Sequence, residues 1–361
     1  MVNITEETIM KDFRIIMAGC GDIAYRWLDH ITKRDDCEII AIAEKNPARA
    51  ENYIKRYNLT PVPPIYSSVE EALEKEHGNV LIDLTYVTVH HDIVTTALRA
   101  GYDVLGEKPM AFTVDQVNDM LKTVDETGKR YFVMQNRRYI EQVKKIRELV
   151  LSGIMGDPSY ICSDIFVCAD MASIRNQFKY PQLQDNNIHS FDLARFLVGG
   201  KPVSVHYHSF NPKGSMYTGD GAGDAVFEFD NGCIYSFRGY NGTEGNYTSW
   251  DNVWRVNCER GSVVWDGFGE AKYEYCEHNG DIFKGIPFKG GIIEKPATVR
   301  DQHDGALEDM FDALKTGRTP LLDCKDNVNS IAMVLASVKS IEENRKVNIK
   351  VSDTYPYLVI D

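Results

Sequence analysis

A glycine-containing segment near the amino terminus has residue types at a spacing that can bind the pyrophosphate of a dinucleotide. Gly19, Gly21 and Ala24 form a G-x-G-x-x-A pattern. The first glycine permits a tight turn, the second lets the main chain approach a phosphate, and the small third residue lets a strand and a helix pack closely. A helix that starts here also offers N–H groups to an anion. The pattern alone also occurs in ordinary turns, so its context matters; the loop residues predicted to contact the cofactor are Gly19, Gly21, Asp22, Ile23 and Ala24.

An acidic residue follows the second apolar strand. This residue, Glu44, lies 23 positions beyond Gly21. A carboxylate there can accept hydrogen bonds from the ribose hydroxyls of NAD, and its charge would repel the 2′-phosphate of NADP. Lys45 stands beside it and could reach a phosphate, so NADP stays as the alternative. We predict that both residues lie at the cofactor and that NAD is preferred.

A second group of polar residues has the spacing of an acid–base pair. Asp185 and His189 are four residues apart, and Asp192 follows three residues later. In one helix these three side chains would share a face. The spacing suits a carboxylate that orients an imidazole acting as a proton acceptor or donor. The alternatives are a helix cap at Asp185 and a structural histidine at His189, and Asp192 is as readily structural.

The first third of the chain alternates strand and helix signals. Apolar runs predict strands at Phe13–Ala18, Glu38–Ala43, Val80–Tyr86 and Asp103–Leu105. Helical signals follow the first strand through Ile31 and continue at Pro47–Tyr57, Ile93–Ala100 and Val114–Thr127. Continuous apolar strands separated by helices predict a parallel sheet that is covered on both faces.

Beyond about residue 150 the pattern changes to alternating strands, which are typical of an antiparallel sheet. The predicted strands are Tyr160–Val167, Val203–Phe210, Ala225–Phe229, Cys233–Tyr240, Val253–Cys258 and Ser262–Trp265. Helices are predicted at Asn187–Leu197 and, closing the chain, at Asn327–Glu343. The predicted fold class is therefore α/β, with a dinucleotide-binding domain over residues 1–136 and an α+β domain with a large, mostly antiparallel sheet over residues 137–361.

Composition excludes several classes of protein. Of the 361 residues, 43% are apolar and 26% are charged, which is typical of a globular protein large enough for two domains. A net charge of −13 argues against binding to nucleic acid or to an anionic membrane. The polar, acidic amino-terminal residues lack the features of a signal peptide, which predicts a cytoplasmic protein. The eight cysteines form no CxxC pair, so we expect reduced thiols and no metal site.

Several motifs together resemble the Gfo/Idh/MocA oxidoreductases, a family that includes glucose–fructose oxidoreductase and inositol dehydrogenase. The resemblance extends over nearly the whole chain. A Glu-Lys-Pro tripeptide follows a strand signal, and the D-x-x-x-H-x-x-D segment stands at the separation that is specific for this family. The matching positions are the glycine loop, Thr85, His90, residues 97–101, Glu107-Lys108-Pro109, residues 136–138, residues 185–192 and residues 230–232.

This resemblance implies a Rossmann domain followed by a larger sheet domain, with a dinucleotide and a sugar-like substrate between them. It implies that Lys108 contacts the reacting oxygen, that the peptide bond before Pro109 is often cis, and that His189 is the general base or acid with Asp185 beside it. Related enzymes differ in whether the lysine or the histidine takes the proton, so both Lys108 and His189 stay as candidates. It places Thr85, His90, Glu107, Lys108 and Pro109 at the cofactor. Substrate contacts are predicted for Lys108, Arg138, Tyr139, Asp185 and His189.

The chain departs from the family pattern at positions that bear on the substrate. Relatives often have Thr-Pro-Asn where this chain has Thr85-Tyr86-Val87, and a small residue where Asn187 stands. The identity of the substrate therefore should not be copied from one relative.

The predicted function is NAD-dependent oxidation, or the reverse reduction, of a ring hydroxyl of a sugar, glycoside or cyclitol by a homo-oligomer, a dimer or a tetramer. One alternative is a glycosidase that oxidises its substrate transiently and then reduces it again with the same NAD. The other is a non-catalytic dinucleotide sensor. The presence of Lys108, Asp185 and His189 together argues against a sensor.

Overall fold

The structure, a computed structural model, describes residues 11–169, 174–277, 287–295 and 302–361. These residues form two compact units that are not contiguous in sequence. The first unit takes its described residues from 1–110, 119–134 and 307–323, and the second from 111–118, 135–306 and 324–361. The sequence predicts a single division after residue 136. The units differ from that division because membership of a compact unit depends on which elements pack together, and the chain passes between the units more than once.

The first unit contains a six-stranded parallel sheet. Its strands are β1 (Phe13–Ala18), β2 (Cys37–Ala43), β3 (Ile65–Tyr66), β4 (Val80–Asp83), β5 (Asp103–Gly106) and β6 (Tyr131–Val133). They pair in the order β3-β2-β1-β4-β5-β6. All four residues of β4 are buried, as expected for a strand covered on both faces. The parallel sheet predicted from the apolar runs is confirmed.

Helices connect these strands. They are α1 (Ala24–Ile31), α2 (Pro47–Tyr57), α3 (Val69–Lys75), α4 (Val87–Arg99) and α5 (Val114–Thr127). Helix α4 begins six residues before the predicted start at Ile93, so His90 lies within its first turns. Strand β4 ends at Asp83 rather than at Tyr86. The short elements β3, α3 and β6 were not predicted, because so few residues show no clear periodicity.

The carboxyl ends of four neighbouring strands lie side by side. Ala18 at the end of β1 pairs with Ala43 of β2 on one side and with Asp83 of β4 on the other. Asp83 in turn pairs with Gly106 of β5. The chain order reverses between β1 and β4, and open α/β sheets bind ligands at such a point. The segments that follow these four strands therefore form the candidate site of the first unit.

The second unit contains a ten-stranded, mostly antiparallel sheet among the described residues. Its strands are β7 (Pro158–Phe166), β8 (Pro202–Phe210), β9 (Ala222–Phe229), β10 (Ile234–Tyr240), β11 (Val253–Cys258), β12 (Gly261–Trp265), β13 (Ala271–Tyr275), β14 (Lys289–Ile293), β15 (Val347–Val351) and β16 (Leu358–Ile360). Their order is β14-β13-β12-β11-β7-β10-β9-β8-β15-β16, and β7 with β10 is a parallel pair. The predicted α+β character of this region is confirmed.

Helices cover one face of this sheet. They are α6 (Glu141–Leu151), α7 (Pro181–Asp185), α8 (Asn187–Val198) and α10 (Cys324–Glu343); α9 (Gln302–Thr316) passes from the second unit into the first. The ring of Phe191 on α8 packs against those of Phe227 and Phe237, with centroids 4.7 and 5.3 Å apart. Strands β15 and β16 follow α10, so that helix does not close the chain as predicted. Across the described residues, every helix is too short or too polar to cross a membrane.

Candidate functional site

The glycine loop after β1 has a conformation that other residues could not adopt. Gly19 has φ +89°, and a Cβ atom there would lie 2.9 Å from the carbonyl oxygen of Leu84. A Cβ atom at Gly21 would meet nothing within 4 Å, so the main chain borders open space at that residue. These are the two properties that a pyrophosphate-binding turn requires, namely a left-handed turn and an accessible main chain. The loop therefore fits the dinucleotide pyrophosphate that its sequence predicts as its ligand.

The carboxylate of Glu44 is fixed beside this loop. Its Oε2 accepts a hydrogen bond from the N–H of Cys20 at 2.8 Å, and its Oε1 accepts one from the N–H of Asn46 at 2.9 Å. A carboxylate has about four acceptor positions, so it retains capacity for ribose hydroxyls. Lys45 beside it is exposed. Burial and the nearby Glu44 charge raise the pKa of Cys20 to about 12, so that thiol is not a nucleophile.

The Glu-Lys-Pro segment follows β5, and its peptide bond before Pro109 is cis, as the resemblance implies. Lys108 is only partly buried. Glu107 is 6% exposed; its Oε1 accepts the indole N–H of Trp27 at 2.7 Å, and its Oε2 accepts the N–H of Lys108 at 3.2 Å. The carboxylate of Glu107 is thus directed inward, and its contact with the cofactor remains a prediction. It anchors the segment that carries Lys108 to helix α1.

His90 holds the same segment from the other side. Its side chain is 1% exposed, with Nδ1 3.0 Å from the carbonyl oxygen of Pro109 and Nε2 3.0 Å from that of Thr85. The Thr85 hydroxyl donates to the buried carboxylate of Asp83 at 2.6 Å. His90 thus contacts the main chain after both β4 and β5, and its contact with the cofactor remains a prediction. Buried Asp83 was missed, although an acid ending an apolar strand is a signal for it.

Asp185 and His189 lie at the junction of two helices. Asp185 is the last residue of α7, and His189 lies in the first turn of α8; both are partly exposed. The N–H of His189 donates to the carbonyl of Asn186 at 3.1 Å across this junction. The prediction that Asp185, His189 and Asp192 share one helix face is wrong, because α8 begins only at Asn187. At this junction Asp185 and His189 stay partly exposed, while Asp192 is buried.

Arg138, the arginine predicted to contact substrate, belongs to an ionic network. The guanidinium of Arg138 donates to both oxygens of Asp192, at 2.8 and 2.6 Å, and to Asp326 at 2.7 Å. Asp326 also receives two bonds from Arg195. Arg138 is 3% exposed and neighbouring Tyr139 is 4% exposed. Arg138 thus has a structural role in the second unit, and the substrate contacts of Arg138 and Tyr139 remain predictions. Sequence spacing could not show that Asp192 and Asp326 converge on Arg138.

A polar network anchors α8 to the sheet directly behind His189. Ser190 and Asn252 exchange hydrogen bonds at 3.1 and 2.9 Å. The amide of Asn252 also donates to the Ser163 hydroxyl on β7 at 3.2 Å. These side chains are at most 2% exposed. The network therefore limits how far the first turn of α8 can rotate, and with it His189.

Two family models match this chain. The model described as "Oxidoreductase family, NAD-binding Rossmann fold" matches residues 13–135, and the model described as "GFO/IDH/MocA C-terminal domain" matches residues 143–264. The chain belongs to the Gfo/Idh/MocA oxidoreductase family. The predicted family, the Rossmann fold and NAD as cofactor type are thereby confirmed.

Individual relatives extend over most of the chain. It is 22% identical to the myo-inositol 2-dehydrogenase of Thermotoga maritima over 345 residues, which are 93% of this chain and 98% of the relative. It is 25% identical to the D-glucoside 3-dehydrogenase of Escherichia coli over 217 residues, 56% of this chain and 59% of the relative. An oxidoreductase of Agrobacterium radiobacter, solved in complex with NAD+, L-tartaric acid and magnesium, has a TM-score of 0.80 at 17% identity, covering 94% of this chain and 98% of that one. At this identity the solved structure shows the fold alone.

Proposed function

We propose that this Gfo/Idh/MocA oxidoreductase is an NAD-dependent dehydrogenase that oxidises, or in reverse reduces, a ring hydroxyl of a cyclitol or glycoside. The two relatives are named for inositol and for a D-glucoside, which supports this substrate class. NAD, when it is bound, is the hydride acceptor. The protein's part is to hold the reacting carbon in line and to provide groups for the oxygen and its proton.

We assign three residues to the chemistry. Lys108 stabilises the negative charge that develops on the substrate oxygen. His189 accepts the hydroxyl proton, and Asp185 orients it or binds a neighbouring hydroxyl. In the reverse reaction the same residues donate the proton and bind the carbonyl. Partial exposure of all three side chains supports this assignment, since a group that reacts with a ligand must be reachable.

One observation carries the proposal. The glycine loop, Glu44, Thr85 and Lys108 follow four strands whose carboxyl ends lie in one row, Ala43–Ala18–Asp83–Gly106. A dinucleotide whose ribose lies at Glu44 and whose pyrophosphate lies at the glycine loop would extend along this row. Its nicotinamide end would then approach Lys108. The row therefore accounts for both cofactor binding and the position of the lysine.

The function is tested by absorbance at 340 nm with purified protein and either NAD or NADP. The panel contains inositols, free hexoses, O-glycosides and C-glycosides. Reduction of NAD with one substrate class, in proportion to the oxidised product, is expected. Product formed by bond cleavage with no net NADH would instead establish the glycosidase alternative. Nucleotide binding with no turnover on any substrate would favour the sensor.

Cofactor choice depends on Glu44. Replacing Glu44 by Gln removes the charge and one of the acceptors for the two N–H groups that fix this side chain. We expect the dissociation constant for NADH to rise about tenfold or more, since hydrogen bonds to a charged group contribute about 1.5–3 kcal/mol. The ratio of NADH affinity to NADPH affinity should also fall, because the side chain no longer carries the negative charge that repels the 2′-phosphate of NADPH. Fluorescence titration of both nucleotides measures this.

The matched control is Glu51→Gln on α2, which removes an equal charge from an exposed position. It should leave both affinities unchanged. An equal loss of affinity in the two variants would show that net charge, and not ribose binding, determines the preference. An unchanged NADH-to-NADPH ratio in Glu44→Gln would remove Glu44 from the cofactor site.

We further propose that the protein is a homo-oligomer. One face of the sheet in the second unit carries exposed apolar side chains, including Tyr160, Val226 and Val253, at 42%, 49% and 38% exposure. Apolar groups gathered on one sheet face are typical of an interaction surface. Light scattering at micromolar concentration should give the mass of a dimer or a tetramer of the 40.9 kDa chain. A monomer mass across the concentration range would contradict this.

A further inference from the structure

A tyrosine outside the glycine loop donates a hydrogen bond to the main chain of that loop. The hydroxyl of Tyr53, on α2, donates to the carbonyl oxygen of Gly21 at 2.8 Å. The N–H of Ala24 donates to the same oxygen at 3.1 Å. Both acceptor positions of that carbonyl are therefore occupied, one by the chain's own helix start and one by a side chain from the next helix.

Fixing this carbonyl also fixes an N–H group. The peptide bond between Gly21 and Asp22 is trans, so the N–H of Asp22 points away from the Gly21 oxygen within one rigid plane. This N–H precedes α1, where main-chain N–H groups have no partner inside the helix and can bind an anion. If the peptide plane rotated, the N–H would turn away from the ligand. The carbonyl oxygen would then turn toward the ligand and repel its phosphate.

We infer that Tyr53 is a positioning residue for cofactor binding, which orients the Asp22 N–H toward the pyrophosphate by holding the Gly21 carbonyl. The role of the loop as the pyrophosphate site is part of the proposed function, and this inference rests on it. The inference is independent of the substrate and of the acid–base residues.

The chemistry of Tyr53 suits a permanent donor. Burial, with the nearby Cys20 and Asp22, raises the pKa of the Tyr53 hydroxyl, so it stays protonated at neutral pH. A neighbouring tyrosine provides a contrast. Tyr57 lies one turn further along α2 with its ring stacked 6.2 Å from that of Tyr53, yet its hydroxyl donates to Asp29 at 2.7 Å and not to the glycine loop.

The two tyrosines make a matched pair of variants of the full-length protein, Tyr53→Phe and Tyr57→Phe. Each removes one hydroxyl from the same helix; that of Tyr53 bonds to the glycine loop, whereas that of Tyr57 bonds to Asp29 and to the Tyr25 carbonyl. Dissociation constants are measured for NADH, for ADP-ribose and for adenosine, which lacks the pyrophosphate. We expect Tyr53→Phe to raise the constants for NADH and ADP-ribose about 3- to 10-fold, the range for one net hydrogen bond, and to leave that for adenosine unchanged. Tyr57→Phe should change none of them.

A rescue variant separates the hydrogen bond from packing. p-Aminophenylalanine at position 53 places an N–H donor where the hydroxyl was and should restore wild-type affinity for NADH. Equal losses for adenosine and ADP-ribose in Tyr53→Phe would overturn the inference, because they would indicate general loosening of the unit. So would wild-type affinity in that variant, or a Tyr57→Phe variant with the same loss. Failure of the wild-type protein to bind any of the three ligands would instead contradict the proposed function.

Discussion

Replacing Lys108 by alanine is expected to lower kcat/KM by at least about 100- to 1,000-fold, the usual loss when one group that stabilises a developing oxyanion is removed. The dissociation constant for NADH should stay within about threefold of the wild-type value. The glycine loop and Glu44, which we assign to the nucleotide, do not depend on the lysine ammonium.

The structure supports a side-chain effect without collapse of the segment. Glu107 and His90 hold the main chain on both sides of Lys108, through the Lys108 N–H at 3.2 Å and the Pro109 carbonyl at 3.0 Å. Neither contact uses the Lys108 side chain. The alanine variant should therefore keep the shape of the cofactor site and lose only the cation.

Initial rates at 340 nm and NADH fluorescence titration measure the two quantities on one preparation. The control is Lys122→Ala on α5, whose side chain is 53% exposed and pairs only with Glu126 among the ion pairs seen. This control should keep wild-type kcat/KM. Retention of more than a tenth of wild-type kcat/KM by Lys108→Ala would exclude the lysine from the chemistry, and loss of NADH binding would give it a cofactor role instead.

Replacing Arg138 by methionine is expected to lower the free energy of unfolding by about 3–5 kcal/mol, the usual cost of leaving a buried charge without its partner. Asp192 is the residue left behind; its side chain is 2% exposed and bonds to Arg138 through both oxygens. Asp192 keeps the Ser330 hydroxyl at 2.5 Å and the Arg195 guanidinium at 3.9 Å, which are weaker partners than the two-bond contact with Arg138. Removing both charges in Arg138→Met/Asp192→Leu should recover at least half of the loss.

An exposed ion pair of the second unit, with its acid on α10, provides the control. Lys179 Nζ lies 3.3 Å from Glu342 Oε1, and their side chains are 67% and 52% exposed. Lys179→Met should lower the free energy of unfolding far less than Arg138→Met does. Urea unfolding followed by tryptophan fluorescence suits the comparison, since three of the four tryptophans, at 250, 254 and 265, belong to the second unit. Equal losses in the two variants would show that burial does not set the effect.

The same network predicts a dependence of stability on acid. Burial alone would raise the pKa of Asp326, but Arg138 and Arg195 outweigh it and hold that pKa below its usual range. A carboxyl pKa that is lower in the folded state stabilises the fold above the unfolded value of about 3.9 and loses this contribution as pH falls below it. Wild-type stability should therefore drop below about pH 4, and this drop should be smaller in Arg138→Met.

The sequence alone predicted the fold class, the family and most elements, because long periodic segments have a local cause. Strand β1, helix α2 and helix α5 have the predicted bounds. The apolar spacing and the terminal residues that set these bounds all lie within the segment itself. The segments β3, β6 and α3, with two, three and seven residues, were missed. Such short pieces form because neighbouring strands are already in place.

In the candidate site, too, some features were predictable from the sequence and others were not. The glycine pattern, Glu44 and the Glu-Lys-Pro tripeptide are local motifs, and their positions at the carboxyl ends of β1, β2 and β5 follow from sequence and topology together. The inward roles of Glu107 and His90 were not predictable, because their partners are Trp27, 80 residues away, and Thr85 with Pro109. A motif states which residue is present but not whether its side chain faces a ligand or the core.

Some contacts join residues that lie far apart in the sequence, and only the tertiary structure decides them. Arg138 has the residue type of a substrate contact, yet its buried guanidinium pairs with Asp192 and Asp326, 54 and 188 positions later. Tyr53 had no motif, yet its hydroxyl reaches the Gly21 carbonyl from 32 positions away. Sequence thus determined the chemistry that the chain carries and the elements that hold it. Folding decided which polar groups satisfy one another inside the protein and which stay reachable for a ligand, because a buried polar group must find its partner wherever the fold provides one.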